Sequence, residues 1–312
     1  MINVIRTSLA VLLFPLTIFQ QVKENKDIKR INPLGRFYQI GNHTLHVNVQ
    51  GNGKHTVVFD SGLGSFSLDW THIQQELITD AVTVSYDRAG YGWSQRANRN
   101  TTSKECVGDL RQLLREAGLK PPYLMVGHSF GGLNMRLYAQ MYPDEVSGLI
   151  LIDPTSEYRF LPEYTDSERR GQYFGALRQY KMGYALSIIG MTRMFKRPVW
   201  NRYLSKNYIA LGFRKSAYEA IYKEYKNIEV SCREVATQNL VDRIPVTILS
   251  AGKMNDSWKS DQKKLAKLFS NSRHIFIEDS YHNIHFERPD TVSNAIREMI
   301  DLQVIREGIN FT

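Results

Sequence analysis

Gly127-His128-Ser129-Phe130-Gly131-Gly132 fits the pattern Gly-x-Ser-x-Gly, and its flanks decide what the match means. Ahead of it, Pro121-Pro122 punctuates the chain, and Tyr123-Leu124-Met125-Val126 is a short apolar run suited to a buried parallel strand. Behind it, Leu133, Leu137 and Met141 recur at helical spacing until Tyr142-Pro143 ends the pattern. Strand, sharp turn and helix, in that order, is the setting in which such a motif becomes a nucleophile elbow. Gly127 and Gly131 keep the tight turn free of Cβ atoms. A helix beginning just after Ser129 would aim free N–H groups and the positive end of its dipole at an anion formed there. Taken alone the motif is a common accident; the flanks give it weight.

Working outward, 312 residues are enough for a large core, either as one α/β domain with an insertion or as two domains. The apolar share of 42% and the regular strand-like runs exclude a disordered chain. A formal charge of +9 favours anionic surfaces. No zinc-finger spacing, RNA-binding aromatic signature or concentrated basic tail accompanies that charge, so no nucleic-acid partner is expected. Cys106 and Cys232 show no metal spacing and read as two small buried thiols, with a disulfide as the alternative.

The N-terminus departs from this globular pattern. Ser8 to Phe19 is a nearly unbroken apolar run, followed by the polar, basic stretch Gln20 to Arg30. It is short for a full span and contains Pro15, and no small-x-small cleavage site follows it. The preferred reading is a hydrophobic anchor or shallow membrane-inserted helix within residues 1–30. It makes the protein membrane-associated, with a membrane surface as partner through residues 2–22. A cleaved signal peptide and a helix docked on the protein are the alternatives. Sidedness is left open.

From Arg36 the pattern turns to strands. Residues 36–40 and 43–49 alternate around Gly41-Asn42 as an antiparallel hairpin, and Thr56 to Phe59 is a third strand. It runs into the turn Asp60-Ser61-Gly62-Leu63-Gly64-Ser65 and a helix near Leu68 to Ile78. Val82 to Tyr86 is a fourth strand, leading to Asp87-Arg88-Ala89-Gly90-Tyr91-Gly92-Trp93-Ser94. Thr102 with Glu105 has the form of a capping box opening a helix that Gly118 closes. After the elbow, Val146 to Ile152 is another strand, ending at Asp153-Pro154. Strand character resumes at residues 244–250 and 273–277, with a helix around Leu265 between them and a closing helix from Pro289 to Val304. Strands alternating with helices predict a largely parallel sheet covered on both faces. Between 155 and 240 the composition is helical, rich in Tyr, Phe, Met, Arg and Lys. This stretch reads as an insertion over a core made of residues 31–154 and 241–312.

A serine hydroxyl needs a nearby base, and the base needs an orienting acid. His282 lies in the loop after the last strand, where it can swing over the sheet's C-terminal edge and serve Ser129; His285, three residues on, would point elsewhere. Asp256, in the loop after strand 245–250, is the preferred acid, and Asp153, ending the strand after the elbow, is the alternative. The oxyanion donors would be the backbone N–H groups of Phe130 and Leu63. Asp87, Arg88 and Trp93 read as scaffold beside the elbow.

Four stretches carry a family resemblance over roughly Phe37 to Val304: Asp60 to Ser65, Tyr86 to Ser94, Gly127 to Gly132, and His282-x4-Glu287-x-Pro289. Together, in this order, they resemble the α/β-hydrolase-fold serine hydrolases of the esterase and aminopeptidase-like kind. The resemblance implies an eight-stranded, mostly parallel sheet, a helical lid at 155–240, and no metal or organic cofactor. Two departures stand out. The oxyanion turn begins Ser61-Gly62 where many relatives have His-Gly, and Gly252 is followed by Asn255 at the usual acid position, with Asp256 one residue later. The expected activity is cleavage of a carboxylic ester, or of an amide or thioester, of an apolar small-molecule or lipid-like substrate through an acyl-enzyme. Aromatic and aliphatic residues such as Phe160, Tyr173, Phe174, Ile188, Met191, Met194 and Phe195 would line its pocket. The alternative from another class is a ligand sensor or partner-binding protein with little turnover.

Overall fold

The computed structural model describes residues 2–194, 206–238 and 243–309. Strands β1 (Arg36–Ile40), β2 (His43–Gln50), β3 (Thr56–Asp60), β4 (Val82–Tyr86), β5 (Tyr123–His128), β6 (Val146–Ile152), β7 (Val246–Ala251) and β8 (Ser272–Ile277) form one sheet in the order β1-β2-β4-β3-β5-β6-β7-β8. The hairpin β1–β2 is antiparallel, and β2 joins β4 antiparallel. Every pairing from β4 to β8 is parallel. β5 is central, with Gly127 opposite Asp60 of β3 and Leu151 of β6.

The helices are α1 (Ile2–Arg30), α2 (Thr71–Glu76), α3 (Ser103–Glu116), α4 (Phe130–Met141), α5 (Glu157–Phe160), α6 (Ser167–Ile188), α7 (Lys206–Gly212), α8 (Lys215–Lys226), α9 (Ile228–Ala236), α10 (Asp256–Ala266), α11 (Ile284–Glu287) and α12 (Pro289–Ile309). Successive strand residues face opposite ways, so a doubly covered sheet needs apolar residues at consecutive positions. The central strands comply. Val58 and Met125 pack with Leu110, Leu114, Leu133 and Leu137 of α3 and α4. Their neighbours Val57, Leu124 and Val126 face the other way and pack with Ile73, Leu77 and, from α12, Val292, Ile296 and Met299. Cys106 and Cys232 are both buried free thiols.

Helices α5 to α9 fall between β6 and β7, and no strand interrupts them among the described residues. They form a helical insertion; the boundary expected at 240/241, and Phe195, lie outside the described residues. The insertion is tied to the core by buried ion pairs, Arg136 with Glu157 at 2.8 Å and Arg88 with Glu224 at 2.8 Å. It also supplies the start of α3. The expected capping box is absent there, because Thr102 makes no side-chain cap bond. Ser231 Oγ accepts from the Ser103 N–H at 2.9 Å and Glu234 Oε2 from the Lys104 N–H at 2.8 Å, so α9 does the capping instead.

The N-terminal expectation is corrected. Among the described residues no helix is long and apolar enough to cross a membrane. The apolar run from Ser8 to Phe19 covers about 18 Å as a helix, against about 30 Å of hydrocarbon. Helix α1 instead continues through Pro15 to Arg30 and docks its later turns on the insertion. Gln20 and Glu24 are buried there. Gln20 Nε2 donates to the Phe213 carbonyl at 3.3 Å, Arg193 Nε donates to Gln20 Oε1 at 2.8 Å, and Arg193 pairs with Asp27 at 2.8 Å. No membrane association follows from this arrangement.

The elbow explains its own glycines. A Cβ at Gly131 would run into the Asp60 carbonyl oxygen and come within 2.7 Å of that of Ser61, both main-chain atoms that cannot move aside. Gly131→Ala should therefore cost about 3 kcal/mol of stability by overpacking, readable as an earlier midpoint in chemical denaturation. An unchanged midpoint would show that the turn can relax.

Candidate active site

β5 ends at His128 and α4 starts at Phe130, so Ser129 alone makes the reversal. It does so at φ 52° and ψ −116°, a left-hand region that a residue with a Cβ enters only when neighbours hold it there. They do. The Ser129 N–H donates to the Ile152 carbonyl at 3.0 Å, and its own carbonyl accepts from the Thr155 N–H at 2.9 Å and the Gly132 N–H at 3.0 Å. The end of the adjacent strand is bent too. Asp153, directly after β6, has φ 41°, and its N–H donates to the Leu249 carbonyl at 2.6 Å.

These two bends bring three side chains into line. His282 Nε2 lies 3.0 Å from Ser129 Oγ, and His282 Nδ1 lies 2.6 Å from Asp153 Oδ2. Asp153 is fully buried. Its other oxygen accepts from the Ala251 N–H at 3.0 Å and from Trp258 Nε1 at 2.9 Å, which fixes the carboxylate's orientation.

The preference for Asp256 is corrected: the carboxylate at the imidazole belongs to Asp153. Asp256 is the exposed first residue of α10. The preceding Asn255 caps that helix, its Oδ1 accepting from the Trp258 N–H at 2.9 Å, so the loop's conformation serves the helix start. His285 points away from Ser129, as its spacing predicts. It is buried beside Asp69 at 3.6 Å and the Trp70 ring. Between it and His282 sits His128, whose Nε2 bonds the His282 carbonyl at 3.0 Å. Burial first, and then the neighbouring His285 and His282 rings, holds the His128 imidazole well below the usual histidine range.

The turn from Asp60 to Ser65 lies against this cluster. Phe130 opens α4, so its N–H has no acceptor within the helix. Among the described hydrogen bonds none engages the N–H of Leu63 or of Phe130. The motif residues expected as scaffold act as such. Asp87 accepts from the Ser67 and Trp93 N–H groups, each at 2.8 Å, and Arg88 is buried against the turn. Burial opposes the Arg88 charge, but Glu224 and Asp60 outweigh it and raise its pKa well above the usual value.

A cavity of about 290 Å³ opens at Ser129, lined by Gly62, Leu63, Ser65, His128, Phe130, Thr155, Phe160, Tyr180, Tyr225, Ile228, Trp258, His282 and Asn283. Among the described residues expected from the insertion to form the wall, Phe160 alone lines it. Tyr173 packs behind Phe160 and Tyr225, while Phe174 and Met194 are exposed. Tyr180, Tyr225 and Ile228, on α6, α8 and α9, went unrecognised because no local motif sets them apart from the other apolar residues of those helices. Trp258 had a local signal, as it follows Asp256 by two residues at the start of α10.

A family profile described as alpha/beta hydrolase fold matches residues 55–186. The chain is 26% identical over 269 residues to an uncharacterised protein, YqjL, of Bacillus subtilis (strain 168), covering 82% of this chain and 87% of that one. Among solved structures it is similar to an epoxide hydrolase from Bacillus megaterium, with TM-score 0.68 and 19% identity over 85% of this chain and 100% of the other. It is also similar to a thermophilic esterase from Thermogutta terrifontis, with TM-score 0.61 and 18% identity over 86% and 99%. At such identities the structural likeness speaks to the fold.

The His128 environment makes a pH prediction. The folded chain keeps this imidazole neutral where the unfolded chain protonates it, so stability is lost as pH falls through about 6.5. In His128→Asn, whose amide can still donate to the His282 carbonyl, denaturation midpoints between pH 7.5 and 5 should fall less than in the parent. Parallel profiles would contradict this.

Proposed function

Since the chain is an α/β-hydrolase-fold protein, we propose that it is a serine hydrolase cleaving a carboxylic ester of an uncharged, apolar small molecule. The observation that carries the reading is the unbroken line from Ser129 Oγ through His282 to Asp153, at 3.0 Å and 2.6 Å. Ser129 attacks the carbonyl carbon while His282 Nε2 takes its proton. Asp153 keeps Nδ1 protonated and steadies the imidazolium that forms. The N–H groups of Leu63 and Phe130 receive the oxyanion, a service whose loss of one donor costs about 10²–10³ in kcat. His282 then protonates the leaving alcohol, and water repeats the cycle on the acyl-enzyme, releasing the acid.

The substrate class is read from the cavity wall. Leu63, Phe130, Phe160, Tyr180, Tyr225, Ile228 and Trp258 supply it, and among the described residues no Asp, Glu, Lys or Arg lines it. Burying a charged acyl or alcohol group against such a wall is unfavourable, whereas an aliphatic or aromatic one gains from desolvation.

Steady-state hydrolysis of 4-nitrophenyl esters, with labelling by a fluorophosphonate probe, tests it. Ser129→Ala should abolish both signals. Asp153→Asn should lower kcat by about 10⁴, by analogy with loss of the correct imidazole tautomer. Asp256→Asn should stay within about threefold of the parent, since surface substitutions leave such geometry intact. Equal losses for the two aspartates, or turnover surviving in Ser129→Ala, would sink the assignment.

A further inference from the structure

We propose that Glu224, on insertion helix α8, is a positioning residue that aims the Leu63 N–H at the reacting oxygen. Seating the insertion and forming one oxyanion donor are then a single event. Its kinetic consequence rests on the serine-hydrolase reading above; its structural core does not.

The argument begins with the donors of Arg88. A guanidinium has five N–H groups in a rigid plane. Nε donates to Glu224 Oε1 at 2.8 Å, and Nη2 donates to Glu224 Oε2 at 3.1 Å and to the Gly62 carbonyl at 3.0 Å. Nη1 donates to Asp60 Oδ1 at 2.6 Å and to the Ser61 carbonyl at 2.5 Å. All five are engaged, and Arg88, Asp60 and Glu224 are all buried. Two of the five hold successive carbonyls of the turn before Leu63.

The peptide geometry carries the effect onward. In a planar trans peptide, C=O and N–H point in opposite directions. The Gly62 carbonyl and the Leu63 N–H share one such plane. Fixing that carbonyl on Arg88 therefore sends the Leu63 N–H the other way, and Leu63 lines the cavity at Ser129. Gly62 has no Cβ to resist a flip of this plane, so the restraint has to come from outside the turn.

Asp60 alone cannot supply it. It holds one edge of the guanidinium, and a plane held at one edge can pivot. Glu224 grips the other edge with both oxygens, which leaves the Ser61 and Gly62 carbonyls as the remaining acceptors. A second strap runs alongside. The Tyr91 hydroxyl donates to Glu224 Oε2 at 2.7 Å and lies 3.4 Å from the Gly64 N–H, which donates to it. The residue after Glu224 is Tyr225, a wall of the cavity. Helix α8 thus carries both a substrate-facing side chain and the carboxylate that orients the turn.

The test is Glu224→Gln, which keeps shape but sets an amide N–H₂ against Arg88. Relative to the parent, kcat for 4-nitrophenyl acetate should fall about 10- to 100-fold, with KM changing less than about threefold. Hydrogen exchange should quicken in the peptide spanning residues 60–66 while the β5 and β6 amides keep their protection. Tyr91→Phe, which removes only the second strap, should show both effects more weakly, and it serves if Glu224→Gln does not fold. Unchanged kcat with unchanged exchange at 60–66 in a folded variant would overturn the proposal. So would exchange that quickens evenly across the sheet, the mark of general destabilisation. If the parent hydrolyses no ester yet exchange at 60–66 responds, the serine-hydrolase reading falls and the coupling stands.

Discussion

Two adjacent parallel strands, β5 and β6, end in residues forced to positive φ, and the site depends on their being held there together. Ser129 and Asp153 are the non-glycine residues with positive φ among those described. Each such residue stores about 1–3 kcal/mol of strain, which persists only where surroundings over-determine it. Here the two bends hold each other. Ser129 N–H binds the last carbonyl of β6, and the Ser129 carbonyl is bound by Thr155, two residues past Asp153. Parallel register puts His128 opposite Ile152, so the hydroxyl and the carboxylate leave the sheet edge at the same level. One imidazole can then touch both.

The same edge is supported from below by charge. Burying Arg88, Asp60 and Glu224 is costly unless every polar atom finds a partner, and the guanidinium's five donors all do. Asp60 also accepts from Asn134 of α4 at 2.8 Å, which ties the turn to the helix that follows Ser129. The polar interior is therefore arranged around the backbone that faces the cavity at Ser129, while the aliphatic layers on either side hold the sheet itself.

The strand positions, the elbow and the hydroxyl–imidazole pair were legible because each rests on local pattern: continuous apolar runs, glycines around Ser129, a histidine after the last strand. The acid was ambiguous for a physical reason. Asp153 and Asp256 both follow strands, and only packing decides which loop turns inward; Asn255 spends its loop on a helix cap, and Asp153-Pro154 bends under the imidazole. The Thr102–Glu105 pattern misled similarly, since local capping chemistry lost to α9. The N-terminal run was apolar enough to suggest a lipid environment, yet Gln20 and Glu24, just beyond it, carry the docking. Glu224 and Tyr225 had no local signature at all. Glu224 matters through Arg88 and Tyr91, each more than a hundred residues away in the chain, and Tyr225 through the rings of Phe160, Tyr173 and Tyr180 elsewhere in the insertion.

The way α9 closes the beginning of α3 bears on how this architecture can be recombined. The insertion supplies the acceptors for the Ser103 and Lys104 N–H groups, so it is structurally part of the scaffold on which it rests. Exchanging it for another helical segment, as a module cut at the ends of β6 and β7, would leave a core helix with bare donors and a buried guanidinium short of two acceptors. Any graft would have to bring equivalents of Ser231, Glu234 and Glu224 with it. The shape of the cavity is therefore more readily changed through single replacements along its wall than through wholesale transplantation.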